Sequence, residues 1–203
     1  MRQYRECHGA GRGRPQGADR HAGGGRDLRC AADAVTAASN GSNTSAMFYG
    51  RDPRTGREYV YFETLGGGSG ARRTRDGKDG VQAGLTNTSN LPVEAIETEY
   101  PLLVENYNLI EGSGGVGRTS GGRGVVRAIR PLGHATVFSG SGERFRHRPW
   151  GIDGGGAGRP GRFYVLRDGV EEALSEKADR VEVGPADVLV VETPGGGGWG
   201  RRE

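Results

Sequence analysis

The chain has 203 residues, a formal charge of +3 and 40 glycines, close to one residue in five, against an average near ~7%. Hydrophobic residues make up only 33%. No apolar run nears the ~18 residues of a membrane-spanning helix, no strict Gly-X-Y period marks collagen, and Met1–Gly25 lacks the apolar stretch of a secretory signal.

Residues 1–34 hold seven Arg against four acids, which accounts for the whole net charge; residues 35–203 balance at 21 basic and 21 acidic. The body of the chain therefore shows no electrostatic case for nucleic-acid binding. The first segment has almost no large apolar side chain and is expected to be disordered. An RNA-binding Arg/Gly tail is the alternative, weakened by the near absence of interleaved aromatics. Cys7 and Cys30 lack CxxC spacing and read as isolated thiols. Nothing in this usage conflicts with a reducing, cytoplasmic setting.

From Val35 the texture changes. Met47–Tyr49 and Tyr59–Phe62 are strand-like and flank the turn Asp52-Pro53-Arg54-Thr55-Gly56, which predicts a β-hairpin. Leu65–Gly70 reads as a flexible loop, followed by a charged turn region at Arg72–Gly80. Val93–Tyr100 fits one short helix, with Val93, Ile96 and Tyr100 on one face and Pro101 ending it. Asn90 and Pro92 fit a helix start. Leu102–Ile110 reads as a strand, and Gly112–Gly124 as a glycine-dense loop feeding the strand Val125–Ile129. Thr136–Phe138 is another short strand. Phe163–Leu166 and Val170–Leu174 flank Asp168-Gly169, a two-residue hairpin signal. Val181–Val183, a turn at Gly184–Asp187 and Val188–Val191 form a further strand–turn–strand. The fold class is mainly β with one or two short helices (α+β) and glycine-rich loops between short strands.

The motifs divide by context. Gly112-Ser113-Gly114-Gly115-Val116-Gly117 matches G-x-G-x-x-G, but no helix follows to receive a pyrophosphate, so it reads as a tight connection. Gly77-Lys78 is followed by Asp79, which excludes a Walker A loop. His134 and His147 have no metal-ligand companions at useful spacing. In Glu143–Gly151, Arg144 could grip a carboxylate or phosphate through its planar fork. Equally, Arg144 or Arg146 could pair with Glu143 and stack on Phe145 or Trp150. Thr86-Asn87-Thr88-Ser89-Asn90 supplies more hydrogen-bonding side chains than one helix cap requires, which suggests a polar wall. Thr86, Asn87, Thr88 and Asn90 are the candidate substrate-binding residues, with Arg144. Glu94 is the candidate catalytic carboxylate, or else a solvated helix residue.

Four blocks in order resemble the hydantoinase B / oxoprolinase family: Ala37–Ser42, Asp79–Val81 through Leu85–Glu94, Gly112–Arg118 with Gly121–Arg127, and Thr193–Gly200. Glu143-Arg144 and Pro149–Ile152 also fit. The resemblance covers about residues 35–200 and implies the C-terminal part of a larger subunit, inactive alone. It implies ATP-dependent opening of a cyclic amide, such as a hydantoin or 5-oxoproline, alongside a hydantoinase A-like partner that binds ATP. It also implies a divalent metal whose ligands lie upstream of the resembling region. Gly84-Leu85 stands where the family often has His-Met, and residues 1–34 do not resemble the family's upstream part. The competing readings are a non-catalytic β-rich module that binds a partner, and a fragment of a ketone carboxylase subunit.

Overall fold

The computed structural model describes residues 35–41, 44–82 and 88–202. Residues 1–34, with both cysteines, lie outside the described part. Among the described residues, nine strands form two antiparallel sheets. Strands β1 (Thr44–Arg51), β2 (Glu58–Leu65), β5 (Thr136–Ser141) and β8 (Lys177–Val183) make the first, in the order β2-β1-β5-β8. Strands β3 (Leu102–Leu109), β4 (Val125–Pro131), β6 (Arg162–Arg167), β7 (Val170–Leu174) and β9 (Val188–Glu192) make the second, in the order β3-β4-β9-β6-β7. One helix, α1 (Val93–Glu99), stands among the described residues. None is long and apolar enough to cross a membrane.

Local chemistry explains both expected hairpins. At the β1–β2 turn, the Arg54 N–H donates to Asp52 Oδ1 at 2.8 Å and the Gly56 N–H donates to the Asp52 carbonyl at 2.8 Å. Gly56 closes the turn at φ 69°. At the β6–β7 turn, Asp168 and Gly169 have φ of 49° and 77°, the pair of positive values that a two-residue type I′ turn needs.

Strands β8 and β9 follow one another but do not pair. The sequence VLVVE of β9 is buried at every position and sits between β4 and β6. A strand apolar on both faces belongs inside a sheet. KADRVEV of β8 is mostly exposed and forms the edge beside β5. Gly184–Asp187 is therefore a corner between sheets, closed by the Gly184 N–H donating to Asp187 Oδ2 at 2.8 Å.

The two sheets share one apolar core. Phe48, Tyr61, Leu65 and Phe138 come from the first; Ile129, Phe163, Val165, Leu189 and Val191 come from the second; Ile96 of α1 joins them. Phe138 meets Phe163 edge-on at 5.6 Å between ring centres. The opposite face of the second sheet is also buried, at Ala128, Tyr164, Val188 and Val190. Arginine contributes to that cover: the Arg162 guanidinium lies 4.3 Å from the Tyr164 ring centre, and such stems shield apolar surface while their heads stay polar.

Arg162 in turn grips Glu192, donating from Nε at 2.9 Å and from Nη2 at 2.7 Å. Burial pushes the Glu192 carboxyl up, but the Arg162 bonds and the Arg162 and Arg159 charges outweigh it and hold the group below the usual glutamate value of 4.5. A carboxyl so lowered contributes stability above its unfolded pKa and loses it as pH falls through the folded value. Urea midpoints are expected to drop as pH falls below about 4.5, and Glu192→Gln is expected to flatten that dependence. An unchanged slope in the variant would contradict the assignment.

The glycine-rich connections do more than turn. Residues 194–200 run extended through a bundle of other glycine-rich segments, and their partners recur every third residue. The N–H groups of Gly195, Gly196, Gly197 and Gly198 donate to the carbonyls of Arg159, Gly122, Ala38 and Gly156. Positions 195 and 198 thus bond one segment, while 196 and 197 each bond another. The carbonyls of Pro194 and Gly197 accept from Gly68 and Ala71, again three apart on both sides. This is the periodicity of polyproline II, which has three residues per turn and no internal hydrogen bonds. Every donor must find a lateral partner, and here the neighbouring segments supply them. The reason for glycine is close approach: a Cβ on Gly195 would sit 2.0 Å from the Ser113 carbonyl oxygen, and one on Gly197 would sit 2.0 Å from that of Trp150.

Candidate functional site

An open cavity of about 490 Å³ lies between β2 and the polar run that precedes α1. Tyr61, Glu63 and Thr64 wall it on one side; Thr88, Ser89, Asn90 and Leu91 wall it on the other. The alternation of β2 places Tyr61, Glu63 and Leu65 on the inner face and leaves Phe62 exposed at the cavity rim.

Behind this wall a buried ionic cluster ties the sheets together. Arg127 sits on the inner face of β4 and is only 1% exposed. Its Nη1 donates to Glu63 Oε2 at 2.5 Å and to the Tyr61 hydroxyl at 3.1 Å. The Tyr61 hydroxyl donates to Glu63 Oε2 at 2.5 Å. Glu63 Oε1 accepts the Leu91 N–H at 2.8 Å. One carboxylate thus anchors both the guanidinium and the polar run. The guanidinium lies 4.0 Å from the ring centre of Tyr107, its partner across the β3–β4 ladder. The Tyr107 hydroxyl accepts from Asn90 Nδ2 at 2.5 Å. Burial first, then the bond to Glu63, pushes the Tyr61 hydroxyl far above its usual value, so it stays a donor at neutral pH.

The expected site residues separate in space. Thr88 and Asn90 both line the cavity. The Thr88 hydroxyl lies 3.3 Å from that of Thr64. Thr86 and Asn87 lie outside the described residues. Glu94 is exposed on α1 and does not line the cavity. Pro92 stands at the N-cap of α1, where its ring offers no side-chain hydrogen bond, and the Asn90 amide donates to Tyr107. Arg144 stands elsewhere, its guanidinium 4.6 Å from the Trp150 ring centre and its backbone at φ 61°. Of its two expected roles, the stacked one is present. Arg146 pairs instead with Glu176 at 3.1 Å.

Glu63, Tyr61, Arg127 and Tyr107 were not singled out by motif. Their signal was a charge on the apolar face of an alternating strand. Glu63 falls between Tyr61 and Leu65, and Arg127 between Val125 and Ile129. A charge on an inner face needs a partner.

A second ionic clamp holds the glycine segments. Arg123 donates from Nε at 2.9 Å and from Nη2 at 2.8 Å to Asp79 Oδ2, and its N–H donates to Asp79 Oδ1 at 2.6 Å. It also pairs with Glu111. Burial raises the Asp79 carboxyl, but the Arg123 bonds together hold it below its usual range. Among the described residues no three of His, Cys, Asp and Glu gather as a metal would require. The divalent metal implied by the family resemblance therefore finds no donor set among the described residues.

Two facing antiparallel sheets joined to a bundle of extended glycine segments define the architectural class. The model of the family Hydantoinase B/oxoprolinase matches residues 27–202, and the chain belongs to that family. It is 42% identical to an uncharacterised protein of Methanocaldococcus jannaschii over 168 residues, 83% of this chain and 28% of that one. It is 37% identical to a 5-oxoprolinase of Pestalotiopsis fici over 186 residues, 86% of this chain and 14% of that one. The chain thus spans less than a third of these relatives' length. Its fold matches the ATP-dependent caprolactamase of Pseudomonas jessenii with a TM-score of 0.70 at 23% identity, over 87% of this chain and 32% of that one.

Proposed function

We propose that this chain is part of a hydantoinase B-type subunit that hydrolyses a cyclic amide at the expense of ATP. The supporting observation is the family match over residues 27–202, which takes in the cavity, the polar run and the glycine bundle. A small unstrained lactam resists water. Phosphorylating its carbonyl oxygen makes the carbon a better electrophile. No phosphate-binding loop is recognisable in the sequence, so phosphoryl transfer is assigned to a hydantoinase A-like ATP-binding partner and lactam contacts to this subunit. Within it, Thr88 and Asn90 face the cavity, and Glu63 fixes the segment that carries them. Thr86 and Asn87 remain candidate substrate-binding residues. Glu94 remains the candidate base and Arg144 a candidate substrate contact.

The test is co-expression with a hydantoinase A-like subunit, followed by ADP release assayed with 5-oxoproline, N-methylhydantoin or caprolactam. We expect co-purification and lactam-dependent ADP release, and none from this chain alone. Stable folding with no association and no lactam-dependent ADP release would favour the non-catalytic module. ADP release stimulated only by a ketone with bicarbonate would favour the carboxylase reading.

A further inference from the structure

Among the described residues the two sheets end on four edge strands, β2, β8, β3 and β7, and all but β2 are guarded. β3 carries an extra residue at Glu105, where its register with β4 shifts. β8 carries one too, where its register with β5 shifts, and it exposes Lys177, Asp179, Arg180 and Glu182. β7 exposes Glu171 and Glu172. Bulges and charges keep an edge from pairing with another chain. β2 lacks this protection. Its eight residues pair with β1 without a shift, and its charges are Glu58, at one end, and Glu63, turned inward to Arg127.

The ladder shows which groups of β2 are left over. The Asp52 N–H donates to the Arg57 carbonyl, and in an antiparallel pair such bonded partners alternate with unbonded ones. In the register of β1 and β2 they fall at Gly50 and Tyr59, Phe48 and Tyr61, and Ala46 and Glu63. The N–H and C=O of Glu58, Val60, Phe62 and Thr64 therefore point away from β1. Gln82 takes the Thr64 carbonyl, donating from Nε2 at 2.9 Å, and the polar run leans on Glu63 and Thr64. That leaves Glu58–Phe62 open, and among the described residues no strand lies beside it. On its outer face Val60 and Phe62 are 60% and 61% exposed, next to Tyr49 and Met47, their respective partners across the ladder. Contiguous exposed apolar surface of this kind marks an interaction site.

An open edge takes a strand, and this one is complementary to itself. When it is set antiparallel to a second copy about a two-fold axis at Val60, each Val60 faces the other, Glu58 faces Phe62 and Tyr59 faces Tyr61. No two charges of one sign meet, which would weaken such a pair. The same patch serves both copies, as a two-fold contact requires. We propose that a second copy of this chain pairs with β2 along Glu58–Phe62, joining two four-stranded sheets into one. Phe62 stands at the cavity rim. The second copy's Glu58 thus comes to lie beside the mouth of the cavity, and assembly adds a carboxylate there.

The experiment is sedimentation velocity of the full chain, with hydrogen exchange of the Val60 and Phe62 N–H groups followed by NMR. We expect a dimer, and slow exchange at both amides that speeds up on dilution. Val60→Lys sets two like charges face to face and is expected to weaken self-association severalfold. The side chain it replaces is exposed, so the fold is expected to survive. Val60→Glu is expected to do the same, and an equimolar mixture of the two variants to restore the dimer, because Lys then faces Glu across the axis. A dimer indifferent to Val60→Lys overturns the proposal, since the two copies then meet elsewhere. A monomer overturns it as well, whether its two amides exchange freely or are protected from within the chain. Protection that arises only when a hydantoinase A-like subunit is added overturns self-pairing in favour of a strand from that partner. If both variants dissociate but their mixture does not reassociate, Val60 is not on the axis and the proposed pairing is wrong.

Discussion

Gly196→Ala is expected to abolish stable folding, with little soluble protein recovered and no cooperative urea transition. The added Cβ would sit 1.9 Å from the Ser69 carbonyl oxygen and 2.4 Å from its carbon. Both are backbone atoms, and both belong to a segment held on other sides. The Ser69 carbonyl accepts the Gly122 N–H at 2.9 Å, and the Ser69 N–H donates to the Lys78 carbonyl at 2.9 Å. Moving Ser69 to admit a methyl group would break those bonds and push the next segment in turn. Overpacking in ordinary cores costs about 1–3 kcal/mol because side chains can shift. Here no side chain is available to yield, so the cost is expected to exceed ~3 kcal/mol, a large share of a typical domain's stability. Gly112→Ala is the matched control. It has φ 65° but nothing within 4 Å of its missing Cβ, so only the left-handed torsion is penalised, at roughly 1–2 kcal/mol. If the two variants unfold at the same urea concentration, close packing is not what the glycines serve.

The contrast shows why the strands were legible in the sequence and the glycine bundle was not. Short apolar runs at Met47–Tyr49, Tyr59–Phe62 and Val125–Ile129 mark strands, because side chains carry the signal of burial. Turn chemistry at Asp52–Gly56 and Asp168-Gly169 is equally local. Glycine carries no side chain to alternate. Gly195–Gly198 could as well have been a flexible tail, because their order depends on the carbonyls of Arg159, Gly122, Ala38 and Gly156, which are remote in sequence. The corner at Gly184–Asp187 was hidden for a related reason. The turn residues are common to hairpins and corners, and only the apolar run Val188–Val191 of β9 separates the two. At the site, the polar run was visible by composition. Thr88 and Asn90 reach the cavity, while Glu94 faces solvent on α1. The carboxylate that bonds to the run comes from β2 instead, because Glu63 meets Leu91 only after the chain has folded back by 28 positions.

Arg127→Met is expected to destabilise the chain by about 3–5 kcal/mol, the usual cost of removing one partner from a buried ion pair. The cause lies in what remains. Glu63 is only 7% exposed and would be left buried with the Tyr61 hydroxyl and the Leu91 N–H as its remaining donors. Glu63→Leu alone is expected to cost a similar amount, since it strands a guanidinium that is 1% exposed. The double variant is the deciding measurement. Removing both charges and filling the space with apolar side chains is often close to neutral, so the pair is expected to cost clearly less than the sum of the singles. It is not expected to recover fully, because the Leu91 N–H loses its acceptor and the run carrying Thr88 and Asn90 loses its anchor. Urea unfolding of the four proteins gives the cycle directly. Additive losses would mean that the two side chains stabilise the fold independently, and the ion pair between the sheets would then not be a coupled unit. A further consequence separates stability from positioning. In Glu63→Gln, the amide oxygen can still accept the Leu91 N–H, so the Thr88 and Asn90 resonances should stay near their native positions. In Glu63→Leu they should move together, because the contact from Glu63 to Leu91 is what holds that wall of the cavity in register with β2.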